Sequence, residues 1–218
     1  GMCLHQDDGE NRLANVIRFY DAVSTKKISL PTPIMSGVRT PTRQFSSCVV
    51  IEGGDSLNSI NEAAASITKY ISKRAGIGIN AGMIRAEGSK IGFGEVKHTG
   101  VIPFWKHFQT AVKSCSQGGV RGGAATLYYP IWHLEVENLL VLKNNKGVDE
   151  NRIRHLDYGV QINNLMIERL IKNDYITLFS PDVCLGTLYT EYFRDAQAFR
   201  TLYEELKKNP DVRKKRIK

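Results

Sequence analysis

The sequence predicts an α/β fold in which parallel strands are joined by crossover helices. Strand-like and helix-like segments alternate between residues 45 and 207, and this order places helices over a parallel sheet. The 218 residues are 42% hydrophobic, which is enough apolar material for one globular domain or a large part of a bigger protein. No internal repeat or low-complexity tract interrupts the alternation.

The first 44 residues are predicted to form a helix followed by an extended lead-in. Apolar residues recur at helical spacing in Arg12–Ser24. The segment Leu30–Pro33 is predicted to exclude helix, because each of its two prolines restricts the preceding residue and removes a hydrogen-bond donor. We therefore expect irregular chain through Arg43 and a domain boundary at residue 44, with the main α/β unit over residues 45–218.

A strand and a long helix are predicted next. Phe45–Glu52 is rich in β-branched residues and ends at a glycine pair, which is typical of a strand. Asp55 is predicted to cap a helix over Ser56–Arg74, whose apolar residues follow the i, i+3, i+4, i+7 spacing. Ala63–Ala65 makes one side of this helix thin, which favours a close contact with another helix, in this chain or in a second subunit.

The glycines of Ala75–Gly82 resemble a dinucleotide-binding fingerprint only superficially. That fingerprint needs a strand before its glycines, whereas a helix is predicted here, so we reject a Rossmann site. Met83–Thr99 is then a polar loop too long for a connector, and we interpret it as a binding loop. It carries four basic side chains, Arg85, Lys90, Lys97 and His98.

The rest of the chain continues the alternation. The predicted elements are helix Phe104–Cys115 opened by Pro103, strand Ala125–Tyr129, helix Ile131–Leu142, strand Ile153–Ile162, helix Asn163–Lys172, strand Ile176–Phe179 and a mostly helical Leu185–Lys207. The segment Ser114–Thr126, called the glycine loop below, has two glycine pairs that let the backbone approach a ligand. Glycine pairs also occur in tight turns, but a helix-to-strand connection needs only a few residues. We therefore predict a recognition loop with Gln117 and Arg121 as its polar contacts.

Charge and cysteine usage limit the partners. A net charge of +8 favours anionic partners, although the basic run near the C-terminus fits a solvated helix face or a cut end better than a nucleic-acid arm. The widely spaced cysteines predict neither a zinc site nor a disulfide framework, which fits a reducing, cytoplasmic setting. No apolar run approaches the roughly 20 residues that span a bilayer. We expect no membrane, nucleic-acid or metal partner.

Four segments together resemble the large, catalytic subunit of class I ribonucleotide reductase. They occur in the family's order, and they are Gln44–Cys48, Gly54–Leu57, Arg74–Asn80 and Lys113–Ala124. The resemblance runs from about Tyr20 to the C-terminus. It implies half of a ten-stranded α/β barrel and an enzyme that replaces the ribose 2′-hydroxyl of ribonucleoside diphosphates by hydrogen.

The resemblance implies part of a substrate site around Cys48. Cys48 would be one of two redox-active cysteines that end each turnover as a disulfide, although a strand cysteine is more often an inert small hydrophobe. Short hydroxyls and side-chain-free amides suit the anionic oxygens of a diphosphate. The other implied substrate contacts are Thr32, Ser47, Gly76, Gln117 and Arg121.

The resemblance also implies an allosteric site for a deoxynucleoside triphosphate or ATP. Its residues would be Asp55, Ser56, Leu57, Arg85, Lys90 and Ile91. Asp55 has two open roles, as helix cap and as acceptor from a ribose hydroxyl. Gly92 replaces the family's second phosphate-binding arginine, and Lys90 is the candidate substitute as a point charge.

The glycine loop matches the family's specificity loop, which reports the bound effector to the substrate site. A loop dense in glycine suits a switch between several backbone arrangements. The matching residues are Cys115, Ser116, Gln117, Gly118, Gly119, Val120 and Arg121. A homodimer through helices Ser56–Arg74 and Phe104–Cys115 is expected to build the effector site.

Parts of the family's large subunit have no match in these 218 residues, including the Asn-x-Cys-x-Glu segment and the partner of Cys48. The ATP-binding cone, the tyrosine relay and the redox tail are unmatched too. We expect the chain to be inactive alone, to carry no cofactor, and to need a complementary C-terminal part and a small subunit with the radical cofactor. A cut piece and a split or truncated gene product both stay open. The alternative functions are a basic, non-catalytic nucleotide- or nucleic-acid-binding module and a half-barrel scaffold.

Overall fold

The computed structural model describes residues 6–38, 40–41, 43–117 and 121–218, with the backbone alone at 6–8, 116–117 and 121. The strands of these residues are β1 Cys48–Glu52, β2 Gly76–Asn80, β3 Lys90–Ile91, β4 Val96–Lys97, β5 Ser116–Gln117, β6 Arg121–Gly122, β7 Ala125–Pro130, β8 Asp157–Gln161, β9 Ile176–Phe179 and β10 Lys214–Ile217. The α-helices are α1 Arg12–Ser24, α2 Thr32–Gly37, α3 Leu57–Ser72, α4 Val101–Lys113, α5 Val136–Leu139, α6 Asn164–Ile171, α7 Thr187–Arg194 and α8 Ala196–Lys208. Short 3₁₀ helices cover Gln6–Asn11, Asp149–Asn151 and Val183–Gly186.

A four-stranded parallel sheet in the order β1-β2-β7-β8 forms the centre of the molecule. Cys48 is opposite Gly76 in the first pair of strands, and Ile77 is opposite Ala125 in the second. Helices α3 and α4 connect these strands as crossovers. Crossover connections between parallel strands are almost always right-handed. The predicted α/β class with a parallel sheet is therefore confirmed. The boundary proposed at residue 44 stays a prediction.

One face of this sheet packs against helices and the other is open. Ile77 and Ile79 of β2 are buried, in one core with Ile67 of α3 and with Trp105 and Phe108 of α4. On the opposite face Val50 is 81% exposed and Tyr128 is 38% exposed. The apolar side chains of a parallel sheet are normally covered on both faces. The open face of β1, β2 and β7 is therefore a surface that the described residues do not cover.

A second core lies beyond β8. It contains nine buried residues, Trp132, Leu165, Met166, Phe179, Leu188, Tyr189, Phe199, Tyr203 and Leu206. Strand β9 pairs antiparallel with β10 beside this core. Asp195 separates α7 from α8, because its carboxylate accepts from Gln197 N at 2.8 Å and from Ala198 N at 3.0 Å and so caps α8.

Two predictions for the N-terminal half are wrong. Thr32–Gly37 is helical, because Pro33 lies in the first turn, where its missing N–H costs no hydrogen bond. Asp55 does not cap α3. Ser56 does so instead, accepting from Ser59 N at 3.2 Å, and the carboxylate of Asp55 is bonded elsewhere. Ala63 and Ala64 of the thin face are buried in this chain's own core.

Two predictions for the C-terminal half are also wrong. The segment predicted as helix Ile131–Leu142 is helical only at Val136–Leu139. Phe179 N donates to Trp132 O at 2.9 Å and Leu134 N donates to Phe179 O at 2.8 Å, so strand-like pairing occupies the start of this segment. In the basic run near the C-terminus, Lys207 and Lys208 end helix α8, but Lys214–Ile217 forms strand β10 and not a helix end. Its charges are partly paired, because Lys215 bonds Glu137 and Arg216 lies 4.6 Å from the centre of the Tyr175 ring.

Candidate effector and substrate sites at two edges of the sheet

Asp55 and Arg85 meet at the carboxyl edge of the sheet. Asp55 follows β1 and Arg85 follows β2, so neighbouring parallel strands deliver them to one place. Asp55 Oδ1 accepts from the Arg85 main-chain N at 2.8 Å, and Oδ2 accepts from Nε at 2.7 Å and pairs with Nη2. The hydrogen bond that Arg85 donates to Asp55 raises the pKa of the guanidinium above its ordinary value. This bidentate ion pair is partly buried.

Lys90 and Ile91 lie on the short β3–β4 hairpin, which with its flanks covers residues 84–98. Arg85 Nη1 donates to Lys90 O at 2.7 Å, so the guanidinium links Asp55 to the hairpin. The side chains of Lys90 and Ile91 are exposed, as are those of Ser56 and Leu57 at the start of α3. The six residues predicted for the effector site therefore lie on three adjoining segments, with exposed polar and apolar groups around one ion pair.

The base of the β3–β4 hairpin is held by residues that sequence reasoning missed. Glu135 Oε2 accepts from Glu87 N at 2.9 Å, and Ser180 Oγ accepts from Ala86 N at 2.9 Å. His133 Nε2 lies 3.0 Å from Ile84 O, and its Nδ1 accepts from Glu135 N at 3.1 Å. The imidazole is therefore neutral and donates through Nε2. These residues follow β7 and β9. Their position just beyond predicted strands was the sequence feature that could have identified them.

Burial shifts the titration of both groups after β7. His133 is fully buried, and this burial lowers its pKa to about 4. Burial also raises the pKa of Glu135, although two backbone N–H groups oppose the shift by stabilising the carboxylate. His98, at the end of the hairpin, is buried as well, stacks on Phe104 and has a lowered pKa for the same reason. The hairpin base is therefore a largely buried, hydrogen-bonded region.

Ser47, Cys48 and Gly76 lie together at the amino edge of the sheet. Gly76 N donates to Ser47 O at 2.9 Å, and a Cβ added to Gly76 would lie 3.3 Å from Cys48 Sγ. The thiol is exposed on the open face. Thr32 begins α2, and none of the contacts described for residues 6–38 brings it to Cys48.

The glycine loop returns to the same amino edge. Ile77 N of β2 donates to Ala124 O at 3.3 Å, so the end of the loop lies two strands away from Cys48. Ser116–Gln117 pairs antiparallel with Arg121–Gly122, whereas Gly118, Gly119 and Val120 lie outside the described residues, as do the side chains of Ser116, Gln117 and Arg121. The half-buried Cys115 precedes this pairing. Adjacent strands are about 4.8 Å apart, so Cys48 and the loop base are separated by about 10 Å.

The two groups of predicted residues thus occupy opposite edges of one sheet. The expectation that the glycine loop links an effector site to a substrate site stays a prediction. Within one chain, the base of the loop lies at the amino edge, with Cys48, and not at the edge of the Asp55–Arg85 pair. An open cavity of about 790 Å³ lies on the outer side of the hairpin base, between α4 and the 147–152 turn, and none of the predicted site residues lines it. Among the described residues, no cluster of three His, Cys, Asp or Glu could hold a metal ion, and no helix is long and apolar enough to cross a membrane.

Comparison with known sequences decides the family. The family described as "Ribonucleotide reductase, barrel domain" matches residues 46–218. The chain belongs to the ribonucleotide reductase barrel-domain family. Its α/β architecture with a parallel sheet agrees with that assignment.

Relatives of this ribonucleotide reductase chain are large subunits. It is 78% identical over 218 residues to "Ribonucleoside-diphosphate reductase subunit alpha" of Enterobacteria phage T4, covering 100% of this chain and 29% of the relative. It is 69% identical over 209 residues to "Ribonucleoside-diphosphate reductase 1 subunit alpha" of Escherichia coli K12, covering 96% of this chain and 27% of the relative. Identity to the large subunit of Arabidopsis thaliana is 31% over 207 residues, covering 89% and 25%. The chain thus spans less than a third of the length of these relatives.

Proposed function

We propose that this chain is the part of a ribonucleoside-diphosphate reductase large subunit that carries an effector site, one redox cysteine and part of the substrate site. The observation that carries the proposal is the convergence of Asp55, Arg85 and Lys90 after two adjacent strands of a reductase barrel domain. A guanidinium held by one carboxylate is oriented for phosphate. The neighbouring lysine adds a mobile positive charge, in place of the arginine that Gly92 replaces.

The effector is proposed to be a deoxynucleoside triphosphate or ATP. Exposed Leu57 and Ile91 offer apolar contact beside the Asp55–Arg85 pair, and Ser56 offers a hydroxyl. Asp55 is engaged by Arg85, so it acts on a nucleotide mainly by orienting the guanidinium. Its oxygens retain lone pairs for a ribose hydroxyl.

Calorimetric titration of the 218-residue chain with dATP, dGTP, dTTP and ATP tests this site. We expect Asp55→Ala to weaken binding at least tenfold, because Arg85 loses the partner that orients it. The matched control is Asp149→Ala, which removes a carboxylate paired with Arg154 at a side chain that is 87% exposed. No heat with any nucleotide from a folded wild-type chain would refute the effector site. Binding that is equal for all sugars and bases but falls steeply with salt would favour the basic binding module.

Cys48 is proposed to be one of the two thiols that reduce the substrate. Its exposed thiol beside Gly76 and Ser47 leaves room for a diphosphate sugar at the amino edge. In the complete reaction two thiols become a disulfide, the 2′-hydroxyl leaves as water and hydrogen takes its place. The chain alone lacks the second thiol, so we expect reduction only after mixing with a complementary C-terminal part and a small radical-generating subunit. Turnover by the chain alone would contradict this assignment.

A homodimer is proposed to bring the two edges together. Five residues of β1 span about 16 Å, which separates the glycine loop from the Asp55–Arg85 pair within one chain. A second copy packed on α3 and α4 would let the loop of one chain approach the effector pocket of the other. The outer side of α3 supports this, since Leu57, Ala65 and Tyr70 are exposed there. Sedimentation equilibrium with and without dTTP measures the association.

A further inference from the structure

Glu135 joins two separate segments through one carboxylate oxygen. Its Oε2 accepts from Glu87 N in the hairpin base at 2.9 Å and from Val101 N, the first residue of α4, at 3.2 Å. The residue is only 9% exposed. A Cβ added to Gly100 would lie 2.8 Å from its other oxygen, so the carboxylate is packed against the chain that links hairpin to helix. The side chain fixes this junction from both sides.

The helix that Glu135 caps reaches the glycine loop. The 13 residues of α4 span about 20 Å. At the far end Lys113 Nζ donates to Gly123 O at 3.1 Å, and a Cβ added to Gly123 would fall 2.2 Å from Val112 O. The base of the loop therefore rests directly on the last turn of α4. Within one chain, α4 is therefore one of the elements, together with α3, that connect the two edges of the sheet.

The backbone on both sides of Arg85 is held in the same way. His133 bonds Ile84 O and Ser180 bonds Ala86 N, while Asp55 bonds the main chain of Arg85 itself. Arg213 adds a hydrogen bond to Glu87 O. The direction in which Arg85 leaves the backbone is thus set by His133 and Ser180, which bond only its neighbours' main chain, and by Asp55, which also holds the guanidinium.

We propose that Glu135 is a positioning residue that fixes the β3–β4 hairpin to helix α4, so that Arg85 and the base of the glycine loop shift together. The inference rests on the proposed effector site, because Glu135 would hold the hairpin that carries Arg85. Glu135 itself makes no contact with the nucleotide. It acts as a hydrogen-bond acceptor for two backbone N–H groups, and its negative charge is not required.

Substitutions in the 218-residue chain test the acceptor role, with amide hydrogen exchange followed residue by residue by NMR. Glu135→Leu removes the acceptor at similar volume, Glu135→Gln keeps one, and Glu137→Leu removes a half-exposed carboxylate two residues away that pairs with Lys215. We expect Glu135→Leu to accelerate exchange at Glu87 and Val101 at least tenfold and to weaken dATP, dGTP or dTTP binding at least tenfold. Glu135→Gln and Glu137→Leu should each stay within twofold of wild type at both amides and in affinity.

The pattern of exchange separates positioning from general stability. A merely structural role would accelerate exchange equally at core amides such as Ile79 and Leu127, and that result would overturn the proposal. Unchanged exchange at Glu87 and Val101 in Glu135→Leu would overturn it as well. Should Glu135→Leu fail to fold, Glu135→Gln decides: wild-type exchange and affinity support an acceptor role, and a tenfold loss of either refutes it.

The experiment distinguishes failure of the proposed effector site from failure of the positioning role of Glu135. If the wild-type chain binds none of the three nucleotides, the proposed function fails. Exchange at Glu87 and Val101 in the variants then still shows whether Glu135 fixes the hairpin to the helix. Coupling to the loop is read from exchange at Gly123 and Ala124, which should accelerate in Glu135→Leu but not in Glu137→Leu.

Discussion

At the scale of single residues, sequence patterns predicted exposed groups that lie together in the structure and missed the buried groups that hold their backbone. Asp55, Arg85 and Lys90 were predicted for one site and do lie together. Asp55 was also predicted to cap a helix, which is wrong, because Arg85 takes both of its oxygens and the adjacent Ser56 hydroxyl supplies the cap. His133 and Glu135 were missed, since a polar residue in a segment that reads as an amphipathic helix is expected on its solvated side.

Protonation of the single buried residue His133 is expected to make the stability of the chain depend on pH. Its pKa is about 4 in the folded chain and about 6.5 in the unfolded chain. The unfolded chain therefore binds more protons between these values, so this residue makes the free energy of unfolding fall as the pH falls from 6.5 to 4. The expected contribution is about 3 kcal/mol. Asp182 opposes the shift in the folded state.

Urea unfolding of wild type and His133→Gln at pH 4.5 and pH 7 measures this contribution. Glutamine can donate to Ile84 O and accept from Glu135 N without titrating, so we expect the variant to lose less stability on acidification. The carboxylates titrate in both proteins and cancel in the comparison. Parallel losses of stability in the two proteins would show that His133 does not titrate in this range.

At the scale of elements, local pattern predicted the strands and helices that face one core, and failed where distant contacts decide. Helix α1 and strand β9 have the predicted bounds. The helix expected at Ile131–Leu142 is shortened because its first residues pair with Phe179, which lies far along the chain. Thr32–Gly37 was misread because a proline in the first turn was treated like one in a helix interior.

The contact between α4 and the glycine loop yields a prediction at this scale. A methyl group at Gly123 would overlap Val112 O and lie 2.9 Å from Ile71 Cγ2. We expect Gly123→Ala to lower the free energy of unfolding by about 1–3 kcal/mol, as overpacking commonly does. Gly122→Ala is the matched control, since nothing lies within 4 Å of a Cβ there. Equal thermal midpoints for the two variants would mean that the loop base is not packed on α4.

At the scale of the whole molecule, the alternation of strands and helices was enough to predict the parallel sheet. The pairing of β9 with β10 could not be predicted, because the basic composition of Lys214–Ile217 is typical of solvated chain. Only the fold brings Lys215 to Glu137 and Arg216 to Tyr175. Strands β1 and β8 each pair on one side only within the described residues. Unpaired edges invite association with other chains, and this competes with the proposed dimer through α3 and α4.

Two variants distinguish these modes of association. Ala65→Arg places a charge on the exposed side of α3, and Val50→Lys places one on the open face of β1, where Val50 is 81% exposed. We expect Ala65→Arg to weaken dTTP-promoted dimers at least tenfold in sedimentation equilibrium and Val50→Lys to leave them unchanged. The reverse result would place the association at the sheet.

The open face of the sheet has a chemical consequence for Cys48. A thiol that is exposed on the same open face as Val50 and Tyr128 is accessible to dissolved oxidants and alkylating reagents. Whatever chain covers this face would shield the sulfur in the same event that completes its surroundings. Protection from stray oxidation and readiness for chemistry would then be acquired together.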